Sequence, residues 1–469
     1  MTVLLITIAV YMILMLAVGI FFAKKAKTPD DYYLSGRSLP LPVIIFTFAA
    51  TWIGASATLG KAALAYSSGI SAISPTIGSF IAFFIFSFFA GKIRKIGAEH
   101  NINSIPNLFN RRFGKLTSFI ASAVIVWTLV GMTGTQLIAF AKILQFIFEP
   151  YGISYVQALC VSLAVVVIYT GISGMYGVAY TDVVQGVILL LIIGIIVPGN
   201  ALRIAGGWTD LTANLDATYF SFKPDISMIG YMVTSFLYFV AGPPYWQRAF
   251  AAKSSGTAQR GALGGNLVII FYTLSVILIG ICAAYIYPGV SAYDSDMILL
   301  VMVEKCMSPV VYALTVAAVM AVIMSTTDSY LILSAQTLTT DLIGLFSKDV
   351  DPKKIITLSR VSVAVIGLLS LVFALTMKDI FQALMLSMTH FAAAIAVPAF
   401  AALTSRKVTK QAMTASMLSG LVSAFLWSGP MNKPWGLSEA IAGSVVSLVA
   451  IIVVSVLTQK SSEAAPYFE

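Results

Sequence analysis

Residues 241–248 read Ala241-Gly242-Pro243-Pro244-Tyr245-Trp246-Gln247-Arg248, and they interrupt an apolar stretch running from about 227 to 251. A Gly-Pro-Pro sequence cannot continue an α-helix, because proline has no N–H to donate and its ring collides with the preceding turn. If this stretch lies in lipid, the carbonyls freed at the break must be satisfied by other helices, by water or by an ion. A second apolar stretch, about 42–65, is interrupted at Ala49-Ala50-Thr51-Trp52-Ile53-Gly54-Ala55-Ser56-Ala57-Thr58-Leu59-Gly60.

Composition places both stretches in a membrane. The 469 residues are 59% hydrophobic and 10% charged, whereas a soluble domain carries about 25% charged residues. Roughly 20 mostly apolar residues make one crossing. Thirteen such spans fit, at about 2–23, 42–65, 71–95, 116–148, 153–173, 179–202, 227–251, 261–287, 309–345, 356–377, 379–403, 410–428 and 438–458. The chain therefore reads as an all-α polytopic membrane protein with no room for a large soluble domain. The apolar run Met297 to Val303 is too short to span and reads as an external helix on the protein.

The net charge of +9 does not point to nucleic acid, because the basic residues sit between the spans. With the N-terminus outside, twenty-one of the 28 Lys and Arg fall in inner loops, among them Lys24, Lys92, Arg112, Arg248, Lys348 and Lys460. Only Arg203, Lys223, Lys305, Lys378 and Lys433 fall outside, and Lys61 and Lys142 lie within spans, where long stems let them snorkel. A missed or extra helix midway would scramble this asymmetry. It predicts a cell-membrane protein with its C-terminus in the cytoplasm. Cys160, Cys282 and Cys306 show no metal or disulfide spacing and read as buried apolar side chains.

The layout predicts one transmembrane domain. An extra N-terminal helix (2–23) precedes a first set of five helices (about 42–202), a second set (about 227–403) and C-terminal helices (about 410–458). The two broken spans are then the first and sixth core helices. Breaks at matching places in two halves mark a solute site at the midplane of inverted repeats; the competing reading is two unrelated kinks.

The ninth span carries Val322-Ile323-Met324-Ser325-Thr326-Thr327-Asp328-Ser329. Ser325, Asp328 and Ser329 stand at i, i+3 and i+4 and share a helix face. Hydroxyls with a carboxylate form a hard oxygen set suited to Na⁺, although a lone hydroxyl in a helix often only bonds back to the i−4 carbonyl. Asp328 argues for function, since a charge inside a span is costly. Asp182 either caps the sixth span or partners this cluster. Trp52, Trp127 and Trp246 either line a site or pack helices. His390 is either a buried, hydrogen-bonded residue or a site residue, and Arg248 reads as an inner-face anchor. Two histidines cannot make a His-Glu-x-x-His zinc helix. Gly54 to Lys61 has one residue too many for a phosphate loop. No enzyme signal stands.

Taken together, Ala50-Thr51-Trp52-Ile53-Gly54, Tyr180-Thr181-Asp182-Val183-Val184-Gln185, Trp246-Gln247-Arg248 and Met324-Ser325-Thr326-Thr327-Asp328-Ser329 resemble the sodium:solute symporter family over nearly the whole chain. The resemblance implies the LeuT-type inverted-repeat fold and alternating access. It implies a Na⁺ site made by the carbonyls of Ala50, Ile53 and Val322 and the hydroxyls of Ser325 and Thr326. It implies a possible second Na⁺ near Asp182, Asp328 and Ser329, with Asp328 standing where the family has a hydroxyl. Similarity to the choline-transporter branch suggests an aromatic box around Trp52 and Trp127, although His390 replaces an acid there. Gly242, Tyr245, Trp246 and His390 complete the expected solute site.

The expected function is Na⁺-coupled symport of a small organic solute by a monomer or weak oligomer in the lipid bilayer. The alternatives are a proton-coupled carrier on the same fold and a membrane sensor without transport. Amino acids, choline or betaine, carboxylates and sugars all remain open as cargo.

Overall fold

The structure, a computed structural model, describes residues 2–23, 28–289, 295–346, 352–377 and 379–459. Lys24, Lys25, Lys27, Lys348, Lys378 and Lys460, which entered the charge reading, lie outside the described residues. Every regular element among the described residues is helical; one isolated bridge joins Leu39 to Ala252.

Most spans begin where the sequence supplies an N-cap, a side-chain oxygen taking a backbone N–H that the first turn leaves without a partner. Ser154, Asp225, Ser254, Ser308, Asp379, Thr409 and Ser438 all do this. Among the described residues, nine helical stretches are long and apolar enough to cross a membrane, while Leu41–Trp52 and Tyr155–Ile168 are apolar but shorter. The helix Leu41–Trp52 falls short because the first core helix breaks after it, not because it is polar.

The broken helices lie where the sequence places them. The first core helix runs Leu41–Trp52, turns at Ile53 and Gly54, and resumes through a π-turn at Ser56–Gly60 into Lys61–Ser68. The sixth runs Ile226–Ala241 and restarts at Pro243–Ala251. Gly242 between them has ψ 124, the extended conformation that a following proline imposes. The start of one broken helix is tied to the end of the other by Leu39 N to Ala251 O (3.1 Å) and Lys253 N to Leu39 O (3.0 Å).

One boundary differs from expectation. The fifth and sixth spans share a continuous helical run, Tyr155–Leu191. A straight helix of this length would reach nearly twice across the hydrocarbon core. Yet Thr170 and Asp182, about 18 Å apart on a straight helix, bond Asp328 and Ser325, which lie within one turn of each other. Both ends of that stretch therefore reach the ninth span.

The last core helix of each half carries a π-turn. Ile192–Ile196 is followed by Val197-Pro198, and Ala392–Ala396 by Val397-Pro398. Pro198 has no N–H for the carbonyl of Gly194, and Ser275 Oγ donates to that oxygen instead at 2.8 Å. In the second half, Ser444 Oγ donates to Ala392 O at 2.9 Å.

The helix Ile298–Cys306 lies on the bundle with Ile298, Leu299, Leu300 and Val303 buried. Two residues read as loop charges are instead buried. Arg112 donates to the carbonyls of Ala402 and Ser405, and Arg248 is 0% exposed. The reading of the cysteines holds for Cys282, but Cys160 is exposed, and the side chain of Cys306 lies outside the described set.

Candidate functional site

Four of the five atoms expected to hold Na⁺ meet at one point. Thr326 Oγ1 lies 3.1 Å from Ala50 O, 3.1 Å from Ile53 O and 2.9 Å from Val322 O. The break puts Ala50 O and Ile53 O there. In an unbroken helix Gly54 N would bond Ala50 O, but here it turns to Trp52 O at 3.0 Å. Gln136 Oε1 takes Ala55 N at 2.9 Å and steadies the turn. Gly54 is required by the close approach: a Cβ there would sit 2.9 Å from Gln136 Oε1 and 3.1 Å from Thr326 Cγ2.

A hydroxyl has a single proton. Thr326 can donate to one of the three carbonyls and must face the other two with its oxygen. Four oxygens converging on one proton make a place that favours a cation.

Ser325, the fifth expected ligand, turns away and donates to Asp182. Thr47 Oγ1 donates to the other oxygen of the same carboxylate at 2.5 Å. Asp182 is 0% exposed inside its helix, so of its two readings the structure shows the partner of the ninth-span cluster, not a cap.

Asp182 and Asp328 stand within electrostatic reach of each other, and in this state their bonded oxygens and that of Ser329 are taken by protein partners. Asp328 takes the hydroxyl of Thr170, and its Oδ2 is buried without a partner among the described residues. Ser329 Oγ accepts from Arg248 Nη2 at 2.5 Å, and a guanidinium on that oxygen repels Na⁺. Sequence reasoning missed Arg248 because a cation near a span end reads as an anchor. The Gly-Pro-Pro restart is the signal that could have found it, since it draws Pro243–Ala251 back into the bundle.

A central cavity of about 40 Å³ opens beside the break. Trp52, Lys61, Ser79, Gln136, Phe239 and Tyr330 line it, with Met132, Phe381, Met385 and Met388. On that measure one water needs about 10–15 Å³, so the cavity holds a few waters and must widen to admit a solute. Of the residues expected to line a solute site, only Trp52 does. Gly242 forms the second break, and a Cβ there would meet the ring of Tyr245 at 2.9 Å. Tyr245 stacks behind the wall against Phe83 (4.6 Å) and Phe239 (5.5 Å). Trp246 is buried against Phe250.

Trp127 and His390 face away from this cavity by helical phase. Trp127 precedes Gln136 by nine residues and His390 follows Met388 by two, about 180° and 200° round their helices. Trp127 is 55% exposed, its Nε1 3.4 Å from His390 Nδ1, and the His390 ring lies 4.5 Å from Phe425. No aromatic box of Trp52 and Trp127 forms. Lys61, expected to snorkel, turns inward instead. Lys142 pairs with Asp296.

A family model described as the sodium:solute symporter family matches residues 32–420. The chain is 26% identical to the osmoregulated proline transporter OpuE of Bacillus subtilis (strain 168), over 98% of this chain and 96% of that protein. It is 24% identical to a sodium/proline symporter of Staphylococcus aureus, over 97% and 93%. Among solved structures it superposes on a substrate-bound, outward-open Na⁺-coupled sialic acid symporter with a TM-score of 0.82 at 19% identity, covering 100% of this chain and 99% of that one. It also superposes on Mhp1, a nucleobase-cation-symport-1 family transporter in a closed conformation, with a TM-score of 0.65 at 16% identity, covering 94% and 97%. These structural likenesses establish the fold.

Proposed function

The chain belongs to the sodium:solute symporter family, and from that premise we propose which atoms couple its ion to its solute. It is a Na⁺-coupled symporter of a small organic solute, a multi-pass membrane protein of about thirteen spans on the LeuT-type inverted repeat. Na⁺ is held by Ala50 O, Ile53 O, Val322 O and Thr326 Oγ1, and Ser325 completes the shell by turning from Asp182. The observation that carries this reading is Thr326 Oγ1 within 3.1 Å of three carbonyls on two helices with one proton among them.

The bound ion bridges the broken first core helix to the eighth, which contains Pro309–Gln336. That contact fixes the turn at Ile53 and Gly54 and, through Trp52 and Gln136, the wall of the central cavity. The solute binds in that cavity after it widens, and rocking of the repeats exposes it on the other side. Coupling follows if the ion binds the two states with different affinity. One Na⁺ crossing about 100 mV supplies about 2.3 kcal/mol, and a tenfold gradient adds about 1.4 kcal/mol. Together they support a solute gradient of several hundredfold.

The face bearing Arg94, Arg111, Lys253 and Arg406 is cytoplasmic, which puts the N-terminus outside and the C-terminus inside. Each chain holds a complete ion site, so a monomer suffices. The chain carries its solute unchanged and is no enzyme.

Proline, which the relatives' names give as cargo, is the first probe. The test is uptake into proteoliposomes with and without an inward Na⁺ gradient, over proline, sialic acid, choline, betaine and glucose. Uptake that requires the Na⁺ gradient supports the reading. Equal uptake driven by a pH gradient in Na⁺-free buffer would replace it with proton coupling.

A further inference from the structure

Lys61 opens the second half of the broken first core helix, eight residues beyond Ile53. Its side chain does not reach for either membrane face. It is 2% exposed and lines the central cavity. Nζ donates to Ala72 O at 2.9 Å and lies 5.7 Å from the centre of the Phe381 ring. An ammonium carries three donors, and a carbonyl and a ring face neutralise no charge. Among the described residues no carboxylate comes within ion-pairing distance of it.

The acids on that side are otherwise engaged. Asp296 pairs with Lys142, and Asp379 caps its helix at Gln382 N, 2.6 Å away. Arg248, the other cation buried in the core helices, is met by Gln247, Ser329 and the charge of Asp182. A desolvated ammonium without an anion is unfavourable, and a charge inside a span that faces a cavity marks a ligand path.

We propose that Lys61 receives an anionic group of the solute, so that the cargo is an organic acid carried as its carboxylate. This rests on the reading of the central cavity as the solute site of a Na⁺ symporter. The rest of the wall agrees. Thr76, Ser79, Gln136 and Ser235 offer neutral donors and acceptors, and Trp52 and Phe239 offer apolar faces for the body of the solute. No acid lines the cavity among the described residues, so a cationic solute would meet one charge there, of its own sign.

Phe381 also borders a chamber of about 350 Å³ beyond the cavity, shared with Gly60, Tyr231 and Asp379. Its ring therefore stands between that chamber and the ammonium. A carboxylate arriving from the chamber would displace the ring face from Nζ. The same broken helix would then hold the ion through Ala50 and Ile53 and the acid through Lys61.

The test uses proteoliposomes with an inward Na⁺ gradient. The probes are L-proline and N-acetylneuraminate, the methyl ester of each, choline and glucose. Wild type is expected to take up at least one acid and not its ester. Lys61→Met is expected to raise the KM for that acid by about tenfold or more, and Lys61→Arg to recover most of the loss. Lys61→Met should melt no lower than wild type without solute, since it removes an unpaired buried charge, and Na⁺ alone should stabilise both equally. A structural role for Lys61 would instead lower its melting temperature.

Na⁺-driven uptake of choline or glucose with both acids refused would overturn the proposal. So would an unchanged KM for the acid in Lys61→Met. Uptake that depends on Lys61 but not on Na⁺ would sink the Na⁺ reading and leave the acid assignment standing.

Discussion

Thr326→Val tests the ion site with the least disturbance, because it keeps the side chain's shape and removes one oxygen. Thr326 Oγ1 is the only side-chain atom already in place among the four converging oxygens. A hydrogen bond or contact to a charged group contributes about 1.5–3 kcal/mol. Losing it should weaken Na⁺ by roughly 10- to 150-fold. The fold should lose only about 1 kcal/mol, since a single neutral hydrogen bond disappears. A ligand present at 100 times its Kd stabilises the protein by about 2.7 kcal/mol. If the variant binds about 100-fold more weakly, the same Na⁺ concentration only matches its Kd, and the stabilisation drops to about 0.4 kcal/mol. Two assays read this: the Na⁺ concentration for half-maximal uptake, and the Na⁺-dependent shift in melting temperature. A variant that transports with a half-saturating Na⁺ concentration within about twofold of wild type would refute the site.

Three further outcomes follow from the same geometry. Gly54→Ala places a methyl 2.9 Å from Gln136 Oε1 and 3.1 Å from Thr326 Cγ2. It should weaken Na⁺ about tenfold or more while the protein still folds, as read by the Na⁺ dependence of uptake. Asp182→Asn leaves Arg248 buried with less opposing charge and takes one acceptor from Ser325 and Thr47. It should destabilise by about 3 kcal/mol, seen in thermal melts; a melt unchanged from wild type would show that Asp182 does not balance Arg248. His390→Phe, on the far side of its helix from the cavity, should leave the solute KM within about twofold. A large rise in KM would restore His390 to the solute site.

The broken helices were legible because their cause is local. Gly242-Pro243-Pro244 admits no unbroken helix, and the Gly54 segment carries the matching interruption. The proposed ion ligands came from the family resemblance, and the break accounts for the two of them, Ala50 O and Ile53 O, that lie on the first core helix. The wall of the central cavity was not legible, because it depends on which helix face turns inward. Trp127 and His390 were drawn in by residue type, yet their phase relative to Gln136 and Met388 sets them on the opposite faces. Arg248 and Lys61 were misread for another reason. Charge tallies place a cation by its position between or within spans and say nothing of whether its side chain turns inward. A gap was expected between the fifth and sixth spans, and helical bonding runs through it.

The paired π-turns bear on anyone building this fold afresh. Ile192-Ile193-Gly194-Ile195-Ile196-Val197-Pro198 and Ala392-Ala393-Ala394-Ile395-Ala396-Val397-Pro398 stand 200 positions apart with no gap between the two registers. Each π-turn lodges one residue more than an ideal helix would. Regularising either segment would swing everything after it by about 100°. Pro198 and Pro398 would face new neighbours, and the hydroxyls of Ser275 and Ser444 would lose the carbonyls they now hold. A blueprint drawn with straight cylinders would therefore be wrong at the same place twice, and that repeated irregularity is part of the specification of the fold.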